Sequence, residues 1–412
     1  MLLRYLLRHL IRVGTLTVID AAGGTHVFRG REGPRATIRL HRRSLQWTLF
    51  FQPSLRLGEA YTDGTLTVED GSLYDFLDLV GRNWAIAGAH PLEAWGERGR
   101  NLIRRLREFN SPARARRNAA HHYDLTEELY RLFLDSDLQY SCAYFLDEDE
   151  SLEAAQANKR RHIAAKLLLR PGQKVLDIGS GWGGLALHLA AEAGVEVTGI
   201  TLSEMQLEAS RRRAKESGLS DRVSFHLRDY RKQEGTFDRI VSVGMFEHVG
   251  VGYYRTFFDK IRDLLAEDGV ALLHTIGRSG GPCATDPWLR RYIFPGGSLP
   301  ALSEIMPAVE RSGLWTADVE VLRLHYATTL RRWRERFLAS RERAKALYDE
   351  RFARMWEFYL AASEISFRYL GNAVFQVQMA RRQDAVPLTR DYIGEWERAP
   401  AARDVAGGQR AA

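Results

Sequence analysis

An apolar run passing straight into glycines, Val175-Leu176-Asp177-Ile178-Gly179-Ser180-Gly181-Trp182-Gly183-Gly184, constrains this chain more than any other feature. It reads as a strand, a sharp turn and the start of a helix. Glycine at 179 and 181 lets the backbone turn without Cβ clashes and come close to a ligand, while the helix N-terminus offers free N–H groups. The surroundings repeat the rhythm. Strands are expected at Lys174–Ile178, Glu196–Thr201, Val223–Leu227, Phe237–Val243 and Val270–His274, with helices at Leu152–Leu169, Leu185–Glu192, Met205–Ser217 and Tyr253–Leu265. Alternation of this kind predicts an α/β doubly wound, Rossmann-like sheet whose ligand sits at the carboxyl ends of the strands.

A glycine pair alone does not name the ligand. A nicotinamide dinucleotide site wants an acid closing the second strand, and here that strand ends Gly199-Ile200-Thr201-Leu202-Ser203. Thr201, Ser203 and Gln206 could instead offer neutral hydrogen bonds to ribose hydroxyls, with capping of the next helix the preferred role for Ser203. Asp229 follows the third strand, where it could receive an adenine amino group. A second constellation gathers Tyr140-Ser141-Cys142, Glu247-His248, His274 and Tyr326. Its spacing is too scattered for zinc, so hydrogen bonding is the expected role.

The chain has 412 residues, enough for two units. Its 59 basic and 52 acidic residues leave a net charge of +7, which favours anionic partners and leaves nucleic acid and membrane both open. Two cysteines, Cys142 and Cys283, cannot build a disulfide framework, so a reducing, cytoplasmic compartment is expected. The opening MLLRYLLRHLIRV spaces Arg4, Arg8 and Arg12 among leucines: an amphipathic helix packed on its own domain, with contact to anionic lipid as the alternative. Short strands punctuated by glycine from Gly14 to Val80 make residues 1–97 a small α+β domain. Eight arginines between Arg98 and Arg117 mark a linker, 118–396 the second domain, and 397–412 a disordered tail.

Taken together, Tyr140-Ser141-Cys142-Ala143-Tyr144-Phe145, the glycine loop, Gly199 to Ser203, Gly244-Met245-Phe246-Glu247-His248-Val249-Gly250 and Phe294-Pro295-Gly296-Gly297 resemble the cyclopropane fatty acyl phospholipid synthases. The resemblance spans about residues 110 to 390. It implies a class I methyltransferase fold with a helical cap over an acyl pocket, and transfer of a methyl group from S-adenosylmethionine to a cis double bond of an unsaturated phospholipid. In such enzymes a bound bicarbonate then removes a proton so that the ring closes. Carried over residue by residue, Cys142, Glu247, His274, Tyr326 and the Ile276 backbone would hold bicarbonate, with Gly244 nearby. Tyr140, Ser141, Asp177, Gly179, Ser180, Gly181, Gly183, Thr201, Leu202, Gln206, Asp229 and Tyr230 would hold the methyl donor. No metal is expected.

The implied setting is the inner face of the cell membrane, with an anionic lipid surface as partner rather than nucleic acid and a homodimer as a candidate assembly. Two features depart from the family. Ser363 stands where many relatives have cysteine, and a helix expected at Phe367 to Arg382 is divergent. Relatives with this scaffold also make methyl- or methylene-branched lipids, which keeps C-methylation open as the alternative product.

Overall fold

The computed structural model describes residues 2–87 and 125–399, which fold as two compact units. The arginine-rich linker at 98–117 and nearly all of the expected tail lie outside the described residues.

The first unit joins residues 2–87 to Cys283–Pro295 and Tyr326–Asn372. Its sheet has the order β2-β1-β3-β4, from strands β1 (Val13–Ile19), β2 (Thr25–Arg29), β3 (Arg31–Leu40) and β4 (Leu66–Asp70). Alternate residues of β1 and β3, among them Leu16, Val18, Ile38 and Leu40, are buried, as expected for a sheet with one covered face. The Leu2–Leu10 helix buries Leu3, Leu6 and Leu10 and exposes Tyr5, Arg8 and His9, so the expected packing on its own domain is what forms. The long Glu350–Tyr369 helix packs against the Pro53–Thr62 and Leu73–Ala87 helices. Glycines permit the close approach: a Cβ at Gly81 would stand 2.3 Å from Ile365 Cγ2, and one at Gly58 2.6 Å from the Trp288 ring.

The second unit holds a seven-stranded sheet of order β10-β11-β9-β8-β5-β6-β7. Its strands are β5 (Lys174–Ile178), β6 (Glu196–Thr201), β7 (Val223–Leu227), β8 (Phe237–Val243), β9 (Leu265–Arg278), β10 (Trp315–Leu322) and β11 (Asn372–Ala380). Parallel pairing joins β7, β6, β5, β8 and β9 in turn, while β10 and β11 pair antiparallel. Consecutive residues point to opposite faces. Val175, Val241 and Leu272 enter one apolar cluster with Leu185, Leu189 and Phe225, whereas Leu176, Ile240 and Leu273 enter another with Phe246, Phe257 and Phe258. The doubly wound class I methyltransferase sheet expected from the sequence is present.

The helix expected at Phe367 to Arg382 is not what forms. The Glu350–Tyr369 helix stops before Gly371, which takes φ 75°, and Asn372–Ala380 runs as β11. The residues obey a period of two. Ala373, Phe375, Val377 and Met379 join the Phe246 cluster, while Gln376 and Gln378 lie between them, fully buried. Gln378 is satisfied by the Lys166 carbonyl at 2.6 Å and the Tyr392 hydroxyl at 2.9 Å. Two buried glutamines in a strand covered on both sides make it read as amphipathic when it is not.

Gly183 sets a test of the fold. It has φ 81°, and a Cβ there would stand 2.8 Å from both Phe225 Cζ and Ser210 Cβ. Left-handed strain and overpacking together should make Gly183→Ala destabilising by about 2–5 kcal/mol. The expected drop in melting temperature is about 5–15 °C, measured by circular dichroism.

Candidate active site

A cavity of about 1360 Å³, its open mouth included, lies within the second unit beyond the carboxyl ends of β5, β6 and β8. Tyr140, Ser141, Asp177, Gly179, Ser180, Gly181, Thr201, Leu202, Gln206, Asp229 and Tyr230 all line it. Gly183 does not. It is turned into the interior against Phe225 and Ser210, where it forms the N-cap of the Gly184–Ala193 helix. Gly181, with φ 52° and nothing within 4 Å of its Cβ position, faces open space.

The walls have distinct chemistry. Ser203 Oγ accepts the Gln206 N–H at 3.3 Å, the capping role expected of it, and Thr201 Oγ1 donates to Gln206 Oε1 at 3.0 Å. Both Asp229 oxygens are held by the Arg231 side chain, at 2.8 and 2.6 Å, so any adenine amino group would share an acceptor already engaged. Tyr230 is buried beside them, its ring edge-on to Phe257. Asp177 stands out. It is 1% exposed, its Oδ2 has no hydrogen-bond partner, and burial pushes its carboxyl up to about 7 against a lowering influence from Lys159. An orphaned carboxylate oxygen and the unpartnered Ser180 hydroxyl fit a ligand carrying an ammonium group and hydroxyls, as S-adenosylmethionine does.

Of the second constellation, Tyr140, Ser141 and His248 line the cavity, while Cys142, Glu247 and His274 belong to the same unit without lining it. Gly244 lines the cavity with φ 65°, and its N–H donates to the His274 carbonyl at 2.9 Å, tying the ends of β8 and β9 together. Glu247 follows in a short 3-10 turn, 6% exposed, and burial pushes its carboxyl up to about 7. The Ile276 N–H, expected to face an anion, instead donates to Glu247 Oε1 at 2.5 Å, while Glu247 Oε2 has no partner. His274 is buried and held neutral by burial and by the Lys159 and Lys166 charges. The Gln376 amide lies 3.2 Å from its Nδ1. Cys142 is 1% exposed, with Sγ 3.3 Å from the Ala143 carbonyl. Tyr326 belongs to the first unit, packed on Phe367 and Trp333. No cluster able to hold a metal occurs among the described residues.

Sequence reasoning missed Gln156 and Lys159. Both are fully buried on the Leu152–Lys166 helix, and both grip the loop carrying Tyr140 and Ser141. The signal was present: Gln156, Lys159, His162 and Lys166 fall on one helical stripe flanked by alanines.

Residues 110–377 match the family described as mycolic acid cyclopropane synthetase. The chain belongs to that family. It is 41% identical over 330 residues to the cyclopropane-fatty-acyl-phospholipid synthase of Escherichia coli K12, covering 80% of this chain and 83% of that protein. It is 44% identical over 256 residues to a probable fatty acid methyltransferase of Pseudomonas putida, covering 60% of this chain and 65% of that one. The crystal structure of mycolic acid cyclopropane synthase CmaA1 with S-adenosylhomocysteine and CTAB superposes with a TM-score of 0.61 at 32% identity, covering 66% of this chain and 99% of that chain. The enzyme class expected from the sequence, an S-adenosylmethionine-dependent methyltransferase, stands.

Proposed function

We propose that this enzyme transfers the methyl group of S-adenosylmethionine to the cis double bond of an unsaturated phospholipid acyl chain and closes the added carbon into a cyclopropane ring. One observation carries the reading. A cavity suited to the donor shares Gly244 with a buried polar set built from Glu247, on the turn after β8, and His274, on β9. The alkene π electrons form the new C–C bond as the donor's C–S bond breaks, leaving S-adenosylhomocysteine and a positive charge on the other alkene carbon. Cys142, Glu247 and His274 would hold a bicarbonate there, which would supply the base for the proton that the new methyl group loses. The C–H electrons close the ring.

Protein groups position that base and exclude water; none needs to act as the base itself. With the Ile276 N–H committed to Glu247, bicarbonate is best received when Glu247 is protonated and donates to it. The neutral His274 ring is a second donor.

Acyl chains reach the enzyme from a bilayer. No described helix is long and apolar enough to cross a membrane, so the proposed contact is peripheral. The exposed Arg8 together with Trp47 and Phe51, 56% and 55% exposed, suits an anionic interface. Sedimentation with vesicles containing anionic lipid should exceed that with zwitterionic vesicles and weaken as salt rises from about 0.05 to about 0.5 M. Equal binding to both would remove the electrostatic contact.

The test of the reaction is enzyme, donor and unsaturated phospholipid vesicles, followed by mass spectrometry and NMR of the acyl chains. Gain of one methylene unit with loss of the olefin and appearance of cyclopropyl protons is the expected result. A methyl- or methylene-branched product would replace ring closure by C-methylation, in line with the name of the Pseudomonas relative. No donor-dependent change in acyl mass would overturn the assignment.

A further inference from the structure

Lys159 is fully buried, and its ammonium group donates to two neutral oxygens, Gln139 Oε1 at 2.5 Å and Ser141 Oγ at 2.8 Å. None of its hydrogen bonds goes to a carboxylate among the described residues. Desolvation opposes the charged form and pulls the group down to about 8. The charges that face it are Asp135 and Asp137, which favour the cation, and Arg160, which opposes it; the Cys142 thiol is also within its field. Its own field reaches Asp177 on the cavity wall and His274. The loop between is held firmly. Gln156 Nε2 donates to the carbonyls of Gln139 and Ser141, and Gln139 Nε2 donates to Asp137 Oδ2, itself ion-paired to Arg160 and Arg213.

This arrangement fixes the direction of one hydroxyl. Ser141 Oγ accepts a hydrogen bond from Lys159, so the Ser141 O–H is left to donate elsewhere, and Ser141 lines the cavity. A donor backed by a buried cation suits an oxyanion. We propose that Lys159 is a positioning residue for a carboxylate-type anion in this site, acting through the Ser141 hydroxyl and through its own charge. The inference rests on the reading of the cavity as a methyl-donor site. Two ligands offer that chemistry there: the methionyl carboxylate of the donor, and bicarbonate.

The experiment uses the full chain with Lys159→Met and, as a conservative control, Lys159→Arg. Calorimetry measures binding of S-adenosylhomocysteine and of 5′-methylthioadenosine, which has the same nucleoside and no carboxylate. If the donor carboxylate is the anion, Lys159→Met weakens S-adenosylhomocysteine about 10- to 100-fold, leaves methylthioadenosine unchanged, and Lys159→Arg restores part of the loss. If bicarbonate is the anion, both nucleosides bind as before and the bicarbonate concentration giving half-maximal turnover rises about tenfold or more.

Equal loss for both nucleosides, or no change in any measurement, overturns the inference. Should Lys159→Met fail to fold, Ser141→Ala must show the same selective loss, and its absence is equally decisive against the proposal. Failure of the unaltered chain to bind either nucleoside would overturn the donor-site reading instead, which keeps the two outcomes distinct.

Discussion

Glu247→Gln should abolish the alkaline decline in turnover while leaving the affinity for S-adenosylhomocysteine almost unchanged. The substitution keeps the side chain's shape and keeps an oxygen to accept the Ile276 N–H, so the end of β9 stays in place. It replaces the unpartnered Oε2 with an amide N–H that can donate to the anion at any pH but does not titrate. If Glu247 only braced Ile276, the variant would keep the parent's alkaline decline. A melting temperature close to that of the parent, together with intact nucleoside binding, separates a lost titration from lost structure. The carboxyl also sets a pH limit. Its value near 7 reflects burial, and an anion beside it favours the protonated form further. Raising pH should therefore weaken the anion's hold and lower turnover on the alkaline side.

The parts of this enzyme legible in the sequence are those in which local pattern and tertiary role agree. Strands β5, β6, β7 and β8 begin and end at the residues their apolar runs mark, because each is short, buried and bounded by turn residues. The glycine loop was legible for the same reason. Only glycine readily adopts the φ of 87° at position 179, where a Cβ would stand 2.7 Å from Met245 Cβ. Legibility failed where burial and polarity part company. Gln376 and Gln378 sit inside β11, and Gln156, Lys159, His162 and Lys166 sit on the covered stripe of a helix. A pattern rule treats such residues as solvent-facing, whereas each is buried against a specific partner. Lys166 pairs with Glu320, and His162 bridges Glu320 and Glu397.

Chain order hid a second feature. Tyr326–Asn372 follows most of the catalytic sheet in sequence yet folds with the first unit, where Glu364, fully buried, is paired to Arg334 at 3.0 Å and Arg368 at 2.9 Å. Its neighbour Ser363, also buried, donates no thiol chemistry and contributes its carbonyl to Ser366 Oγ. Nothing in periodicity shows that β11 then returns to the sheet, because the return is specified by contacts distant in sequence: Trp315–Leu322 beside it, and Lys166 and His274 across it.

Asp177→Asn should weaken binding of S-adenosylmethionine about 10- to 100-fold, the loss expected when a charge-assisted hydrogen bond to an ammonium group becomes a neutral one. Its pH dependence is the sharper test. In the empty cavity the Asp177 carboxyl titrates near 7, raised by burial, and a cationic ligand binds the ionised form. Below that value a proton must leave before the ammonium can pair, so affinity of the parent should fall about tenfold per pH unit as pH drops from about 7 to about 5.5. The asparagine variant has no such proton and should bind with an affinity that is flat across the same range. Calorimetry at several pH values reads both curves directly. A parent enzyme whose affinity does not change between about pH 7 and about pH 5.5 would show that Asp177 does not meet the ligand's charge. The acid limb set by Asp177 and the alkaline limb set by Glu247 then bound activity on opposite sides of neutrality: one buried carboxyl must be ionised to hold a cation, the other protonated to hold an anion.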